Sequence, residues 1–236
     1  GDQFDIHTGG IDLIPTHHEN EIAQSKGRCG KIPARYWLHG EYLLINGGKM
    51  SKSLGNVYLV KDIKERGYDP IVYKLFSYSC HYRNKLNFTW EGIDAASKSL
   101  ERLRNSYQMN LNGTDELTAD DKEKLSQIEE NFHKAINDDL NMPLAMSFVW
   151  EAARFEKKNP EVAELLSKFD SVLGIKIDEV NSKKEDLPQE ILDLVEQRKI
   201  ARENKDWAKS DELRNLIASK GYSVKDTKNG QEISLK

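Results

Sequence analysis

Two lysines three residues apart, Lys49 and Lys52, sit in the run Gly47-Gly48-Lys49-Met50-Ser51-Lys52-Ser53-Leu54-Gly55-Asn56. Glycines on both sides free the backbone, so this segment reads as a mobile loop. Two ammonium groups on such a loop can close on a triphosphate and stabilise the charge that builds on departing pyrophosphate. The hydroxyls of Ser51 and Ser53 can donate to phosphate oxygens. By residue type alone, a solvated basic turn is an equal reading of the same string.

A second group is His17-His18-Glu19-Asn20-Glu21. His17 and Glu21 are four apart, which places them on one helical face, with His18 off it. An imidazole and a carboxylate at that spacing can share a zinc ion, although a surface hydrogen bond is the commoner use of such a pair. Glu19 fits a capping role, because Thr16 stands three residues before it. A third group is His7-Thr8-Gly9-Gly10-Ile11-Asp12. A strand that ends in glycines lets the backbone approach a nucleotide closely, and Asp12 could accept from ribose hydroxyls. The simpler reading is a tight turn. Near the other end of the chain, Arg198, Arg202 and Lys205 share one side of a helical hairpin, with Trp207 close by. A cationic stripe beside an aromatic suits single-stranded RNA bases, which are bound by stacking and edge contacts; a solvated helix face with a packed Trp is the alternative.

These residues need elements to hold them. Phe4–His7 reads as a strand, Thr16 opens a helix, and Glu41–Asn46 reads as a second strand, an α/β unit over 1–58. From about 59 the pattern turns helical. Segments 70–78, 91–106, 119–138, 143–155 and 160–172 predict an antiparallel bundle joined by short loops, the last helix stopping at Gly174. Residues 181–186 are charged, free of apolar side chains and close to Pro188, which reads as a linker. Beyond it, 189–203 and 206–220 predict a helical hairpin with an Asp206 cap and a Gly221 stop. Residues 222–224 and 232–234 can then pair across Asn229-Gly230.

The 236-residue chain has 35 Lys+Arg and 39 Asp+Glu, a net charge of −4, which excludes nucleic-acid binding by overall basicity. The distribution says more: residues 1–90 are net +3, 91–189 net −8 and 190–236 net +1. A polyanion would favour the two ends. No run approaches the length of a membrane span. The two cysteines, Cys29 and Cys80, are too few for a disulfide scaffold and suit a reducing cytoplasm.

Taken together and in order, these strings resemble a known family. Lys-Met-Ser-Lys-Ser is the second signature of class I aminoacyl-tRNA synthetases. The run Phe4–Leu13, then His17–Ser25, then Tyr36-Trp37-Leu38-His39-Gly40, then the lysine loop, resembles cysteinyl-tRNA synthetases. So do His81-Tyr82-Arg83 before Leu86-Asn87-Phe88, Leu100-Glu101-Arg102-Leu103, Asp138-Asp139-Leu140-Asn141-Met142-Pro143, and Gln197-Arg198 through Lys205-Asp206-Trp207 to Arg214.

The resemblance implies an α/β plus mostly α chain. It would hold the second half of a Rossmann-like nucleotide-binding domain (1–58), a stem-contact segment (59–90), a helical anticodon-binding bundle (91–187) and a small C-terminal α+β tRNA-binding domain (188–236). It implies a cytoplasmic, monomeric cysteine–tRNA ligase with ATP as substrate, Mg2+ and one Zn2+, and with cysteine and tRNA-Cys as partners. By position, Lys52 would contact ATP with Lys49 assisting. His7 would lie near the amino acid, Gly10 and Asp12 near the adenosine. His17 and Glu21 would bind zinc, and Arg198, Arg202, Lys205, Trp207 and Arg214 would bind tRNA. The family's other two zinc ligands are cysteines upstream of the segment matched by 1–10, and its other class I signature, of the His-Ile-Gly-His type, does not occur in this chain; without that first half of the nucleotide fold the chain by itself is expected not to form the adenylate. Thr8 and Pro15-Thr16 depart from the family pattern at the pocket edge, and Ile233 stands where a Trp is usual. The alternatives are a non-catalytic tRNA-binding fragment and the related ligase that joins cysteine to an amino sugar.

Overall fold

The computed structural model describes residues 2–179, 188–204, 206–227 and 230–235. These divide into two compact units, 1–181 and 182–236.

The first unit starts with strand β1 (Phe4–Gly10), which runs parallel to β2 (Ala34–Gly40) with Phe4 opposite Ala34 and Gly10 opposite Gly40. Helix α1 (Glu19–Cys29) connects them and ends at Gly30, whose φ of 74° is left-handed. Three expectations are corrected here. The second strand of the unit is not one run over 41–46: β2 precedes it, favoured by Tyr36 and Trp37, and β3 covers only Leu43–Ile45. Thr16 caps nothing, because a wide helical turn over Ile14–His18 already winds into α1 and carries Pro15 in its first positions. Proline sets the helical φ and lacks the N–H that a cap would satisfy. Gly9 and Gly10 lie within β1 rather than in a turn.

The β1–β2 pair leaves Phe4 45% and Tyr36 66% exposed. Parallel sheets are ordinarily covered on both faces, so these side chains form an apolar surface in need of cover.

Strand β3 pairs antiparallel with β4 (Gly48–Lys49) and parallel with β5 (Leu86–Phe88). Between β4 and β5 lie α2 (Val60–Glu65) and α3 (Ile71–Ser77). Four longer helices follow: α4 (Trp90–Leu111), α5 (Ala119–Asn137), α6 (Met142–Ala153) and α7 (Pro160–Leu173). Their starts have physical causes. Thr89, Thr118, Asn141 and Asn159 each accept a backbone N–H of the first turn through the side chain. Gly174 ends α7 at φ 58°.

One hydrophobic core runs from Ile45 to Ile177 and joins the β3 sheet, α2, α3 and the four long helices. Phe132 and Phe169 stack at its centre, 4.2 Å between ring centroids. Buried Arg104 is satisfied by Asp69 (3.2 Å), Glu179 (3.3 Å) and the Lys176 carbonyl (3.0 Å), as a buried charge must be.

In the second unit, α8 (Gln189–Glu203) and α9 (Trp207–Ser219) pack as a hairpin, and Asp206 accepts the Lys209 N–H at 3.0 Å. Strands β6 (Tyr222–Thr227) and β7 (Gly230–Leu235) pair antiparallel. The expected turn at Asn229 and the expected linker lie outside the described residues, as does Lys205. Among the described residues no helix is long and apolar enough to cross a membrane.

Candidate functional site

Asn46 (φ 49°) and Gly47 (φ 77°) make the tight turn between β3 and β4. Asn-Gly is the pair that a two-residue hairpin turn selects, and that signal lay in the sequence beside the lysine motif. The strand then delivers Lys49 to the surface. Met50 turns inward and packs against the core. Ser51 accepts the Leu54 N–H at 3.3 Å and starts a short helical turn over Lys52–Leu54, which Gly55 ends at φ 64°. Lys49 and Lys52 are both exposed, and neither has an ion-pair partner among the described residues. Two free cations on a short, cornered loop are available to an anion.

A second cluster forms at the start of α1. His17 Nε2 lies 3.5 Å from Glu21 Oε1, as the spacing predicts. His7 reaches the same carboxylate from β1, its Nε2 2.9 Å from Oε2. That approach lacks hydrogen-bond alignment, so this buried oxygen has no hydrogen-bond partner. His18, expected to point off the face, is instead the buried member: it is 3% exposed and its Nδ1 is 2.8 Å from His39 Nε2. The wide turn at Ile14–His18 rotates it inward, which a regular helical count does not foresee. Burial, then the nearby His7 and His39, holds its pKa below the ordinary imidazole value. His18, His7 and Trp37 pack ring against ring.

One nitrogen each from His7 and His18 and one oxygen of Glu21 fall within 4.8 Å of each other. Two imidazoles around a buried carboxylate oxygen without a hydrogen-bond partner are a donor set that suits zinc. A cleft of about 470 Å³ opens beside His7 and Glu21, lined also by Phe4, Gln24, Arg28 and Cys29.

Gly9 is a residue that sequence reasoning missed. A Cβ there would stand 2.7 Å from His18 Cε1, so the ring lies on the bare strand. At the strand's end the Asp12 carboxylate folds back over Gly10, where a Cβ would be 2.4 Å from Oδ1. Gly10 and Asp12 are thus brought together, 2 residues along the chain from Gly10 to Asp12, at the carboxyl end of β1, where open α/β sheets bind ligands.

In the second unit the cationic stripe is only partly as expected. Arg202 lies over the Trp207 ring, 5.4 Å from its centroid, and Trp207 is 57% exposed. Arg214 is exposed and, seven residues on from Trp207, lies on the same face of α9. Arg198 is a correction: it is 2% exposed and presents no accessible charge. Its position follows Ile191 and Leu194 and precedes Ala201, all buried, so a helical count already assigned it to the inner face of α8.

Comparison with known proteins gives a consistent set of relatives. A family model described as tRNA synthetases class I (C) catalytic domain matches residues 1–98. Another, described as Cysteinyl-tRNA ligase anticodon binding domain, matches 184–233. The cysteine–tRNA ligase of Caldicellulosiruptor saccharolyticus is 40% identical over 249 aligned positions, covering 99% of this chain and 53% of that protein. Cysteine–tRNA ligase 1 of Burkholderia lata is 37% identical, covering 99% and 48%. That of Methanosarcina acetivorans is 38% identical, covering 99% and 52%. The chain therefore spans about half the length of the curated relatives it matches. Among solved structures, the LeuRS of Agrobacterium radiobacter K84, solved as a ternary complex with tRNA and LeuAMS, superposes with a TM-score of 0.57 at 16% identity, covering 75% of this chain and 28% of that one. That likeness concerns the fold.

Proposed function

We propose that the chain belongs to the cysteinyl-tRNA synthetase family and that the protein carrying it joins cysteine to tRNA-Cys at the expense of ATP. The reaction first forms cysteinyl-adenylate and releases pyrophosphate, then passes the cysteinyl group to a terminal hydroxyl of the tRNA and releases AMP. The observation that carries this reading is identity of 37–40% along 98–99% of the chain to proteins named cysteine–tRNA ligase, with the lysine loop and the RNA-suited hairpin on one polypeptide.

Lys49 and Lys52 act on the phosphates. Their free ammonium groups stabilise the charge that gathers on pyrophosphate as the bond to the α-phosphate breaks. Mg2+, when bound to ATP, supplies further neutralisation of the same oxygens. Gly10 and Asp12 hold the adenosine end: the missing side chain at Gly10 leaves room for the Asp12 carboxylate to fold back over the strand end, and Asp12 accepts from the ribose. Zinc would be held at Glu21, with His17 as the spacing suggests or with His7 and His18, whose nitrogens lie within 4.8 Å of its carboxylate, and His7 lies on the side where the cysteine would bind. Zinc, when bound, supplies a soft acceptor for a thiolate, which serine cannot match at neutral pH. His18 is kept neutral by burial and, hydrogen-bonded to His39, fixes the wall against which His7 packs.

Residues 1–58 serve as the later part of a Rossmann-like nucleotide-binding domain, with 59–90 contacting the acceptor stem. The exposed apolar surface of β1 and β2 fits that role, since a larger sheet would cover it. Residues 91–187, which include α4 to α7, and residues 188–236 act as the anticodon-reading part. Arg202, Trp207 and Arg214 form its accessible stacking and charge surface, Lys205 joins them by sequence position, and Arg198 is left as a packing residue. The protein works as a cytoplasmic monomer in this account.

The test is aminoacylation. Purified protein carrying this chain should charge tRNA-Cys with labelled cysteine only when ATP is present, and should reject serine. Binding of tRNA without any charging would favour a non-catalytic tRNA-binding role. Transfer of cysteine to an amino sugar instead would favour the ligase of thiol biosynthesis.

A further inference from the structure

The loop that carries Lys49 and Lys52 is closed by a side chain that the phosphate chemistry does not itself require. The carboxamide of Asn56 bridges both limbs: its Oδ1 accepts the Ser51 N–H at 2.8 Å and its Nδ2 donates to the Lys49 carbonyl at 2.9 Å. Between these points the chain makes the short helical turn Lys52–Leu54 and reverses at Gly55. Residues 49–56 therefore form a ring shut by one side chain that uses both its acceptor and its donor.

The ring is also fixed at its base. Asn87 on β5 accepts the Gly47 N–H through Oδ1 at 2.6 Å, and the Asn46 N–H donates to the Phe88 carbonyl at 3.0 Å. Inside, Met50 points into an apolar space of about 110 Å³ shared with Leu43, Ile45, Tyr58, Tyr73 and Phe88. With Met50 inward, Lys49 and Ser51 must face the other way. The turn over 51–55 is held by its own Leu54–Ser51 and Gly55–Lys52 hydrogen bonds, and Asn56 ties the end of that turn back to Ser51 and Lys49.

We propose that Asn56 is the positioning residue of the lysine loop, bracing it so that Lys49 and Lys52 present their ammonium groups together to a pyrophosphate chain. The inference rests on the phosphate role given to those lysines above. Two flexible lysines on an unbraced loop would have to order the backbone as well as their own side chains on binding, and that ordering weakens affinity. A brace made before the anion arrives removes the backbone share of the cost.

The experiment uses the full chain and inorganic pyrophosphate as the probe. Pyrophosphate affinity is measured by calorimetry, and exchange of the Ser51 amide hydrogen by NMR, for the wild type, Asn56→Ala, Asn87→Ala and Lys52→Ala. Asn56→Ala should expose the Ser51 amide to exchange and weaken pyrophosphate binding about tenfold, from loss of two hydrogen bonds, with the melting temperature unchanged. Asn87→Ala should leave Ser51 protected, because it frees only Gly47. Unchanged Ser51 exchange and unchanged affinity in Asn56→Ala would overturn the proposal. If wild type and Lys52→Ala bind pyrophosphate equally, the phosphate role of the lysines fails. The functional half of the proposal fails with it, and Ser51 exchange alone decides whether the brace exists.

Discussion

Glu21 is the residue that the candidate metal site turns on, since His17 approaches one of its oxygens and His7 the other. Glu21→Gln keeps the shape and removes the charge. It should weaken Zn2+ binding by about tenfold or more, as loss of a charged ligand or its close support does. Competition against a chromogenic chelator would check this, and equal affinity in the variant would remove Glu21 from the ligand set. The His17–Glu21 pairing was legible from spacing alone. The inward turn of His18 and the approach of His7 were not, because one depends on the wide turn at Ile14–His18 and the other on a parallel strand pairing. Gly9 was legible only once His18 had been placed against it. Arg198 shows the opposite case: its burial could be counted from Ile191, Leu194 and Ala201, but its charge drew the reading outward. At the same scale, Gly113→Ala would place a Cβ 2.1 Å from the Lys158 carbonyl oxygen. Backbone must move to relieve this, so a loss of about 1–3 kcal/mol is expected in thermal or denaturant unfolding.

Among the elements, the bundle helices were the most readable, because their apolar periodicity and side-chain caps are local. Asn137 and Gly174 close α5 and α7 within a residue or two of the expected ends. The sheet was the least readable. Strand β2 is a short aromatic run whose partner is 30 residues away, and pairing at that range leaves little local trace. The packing of α5 on α7 can be tested directly. Phe132 is fully buried against Phe169, so Phe132→Ala should cost about 3–5 kcal/mol. Near-wild-type stability would mean that the four helices do not share the core described. The turn between α5 and α6 offers a test by pH. Asp139 and Leu140 both adopt positive φ, 54° each, and Arg83 and Tyr82 hydrogen-bond to the Asp139 carboxylate with His81 beside it. Arg83 foremost, then Tyr82, hold the Asp139 pKa down at about 2. An unfolded aspartate titrates near 3.9. The folded value is the lower one, so this contact stabilises the fold above about pH 4 and is lost as the pH falls through 2. The gap in melting temperature between wild type and Asp139→Asn should therefore narrow from pH 5 to pH 2.5; a constant gap would show that the carboxylate is not held by these partners.

For the molecule as a whole, the charge pattern and the fold bear on one question, how an acidic chain meets RNA. The net −8 of residues 91–189 gives the bundle a field that repels phosphate, while the ends, net +3 and +1, carry the free lysines and the Arg202–Trp207–Arg214 surface. Contact with RNA is expected to be localised and to rest on few cations, with stacking on Trp207 adding sequence-tolerant affinity. The two stretches that family models match, 1–98 and 184–233, were legible because each carried its own strings. The surface of β1 and β2 was not, because exposure of Phe4 and Tyr36 depends on what pairs with the sheet and not on the strand itself. The central claim is that this chain holds the anticodon-reading part of a cysteine–tRNA ligase. The most direct test is binding of tRNA-Cys to the purified chain at two salt concentrations, beside the same tRNA with a changed anticodon. The account predicts salt-sensitive binding that the anticodon change weakens by about tenfold or more, through edge contacts to the bases rather than through stacking. Equal binding of the two tRNAs, or none at either salt, would contradict it.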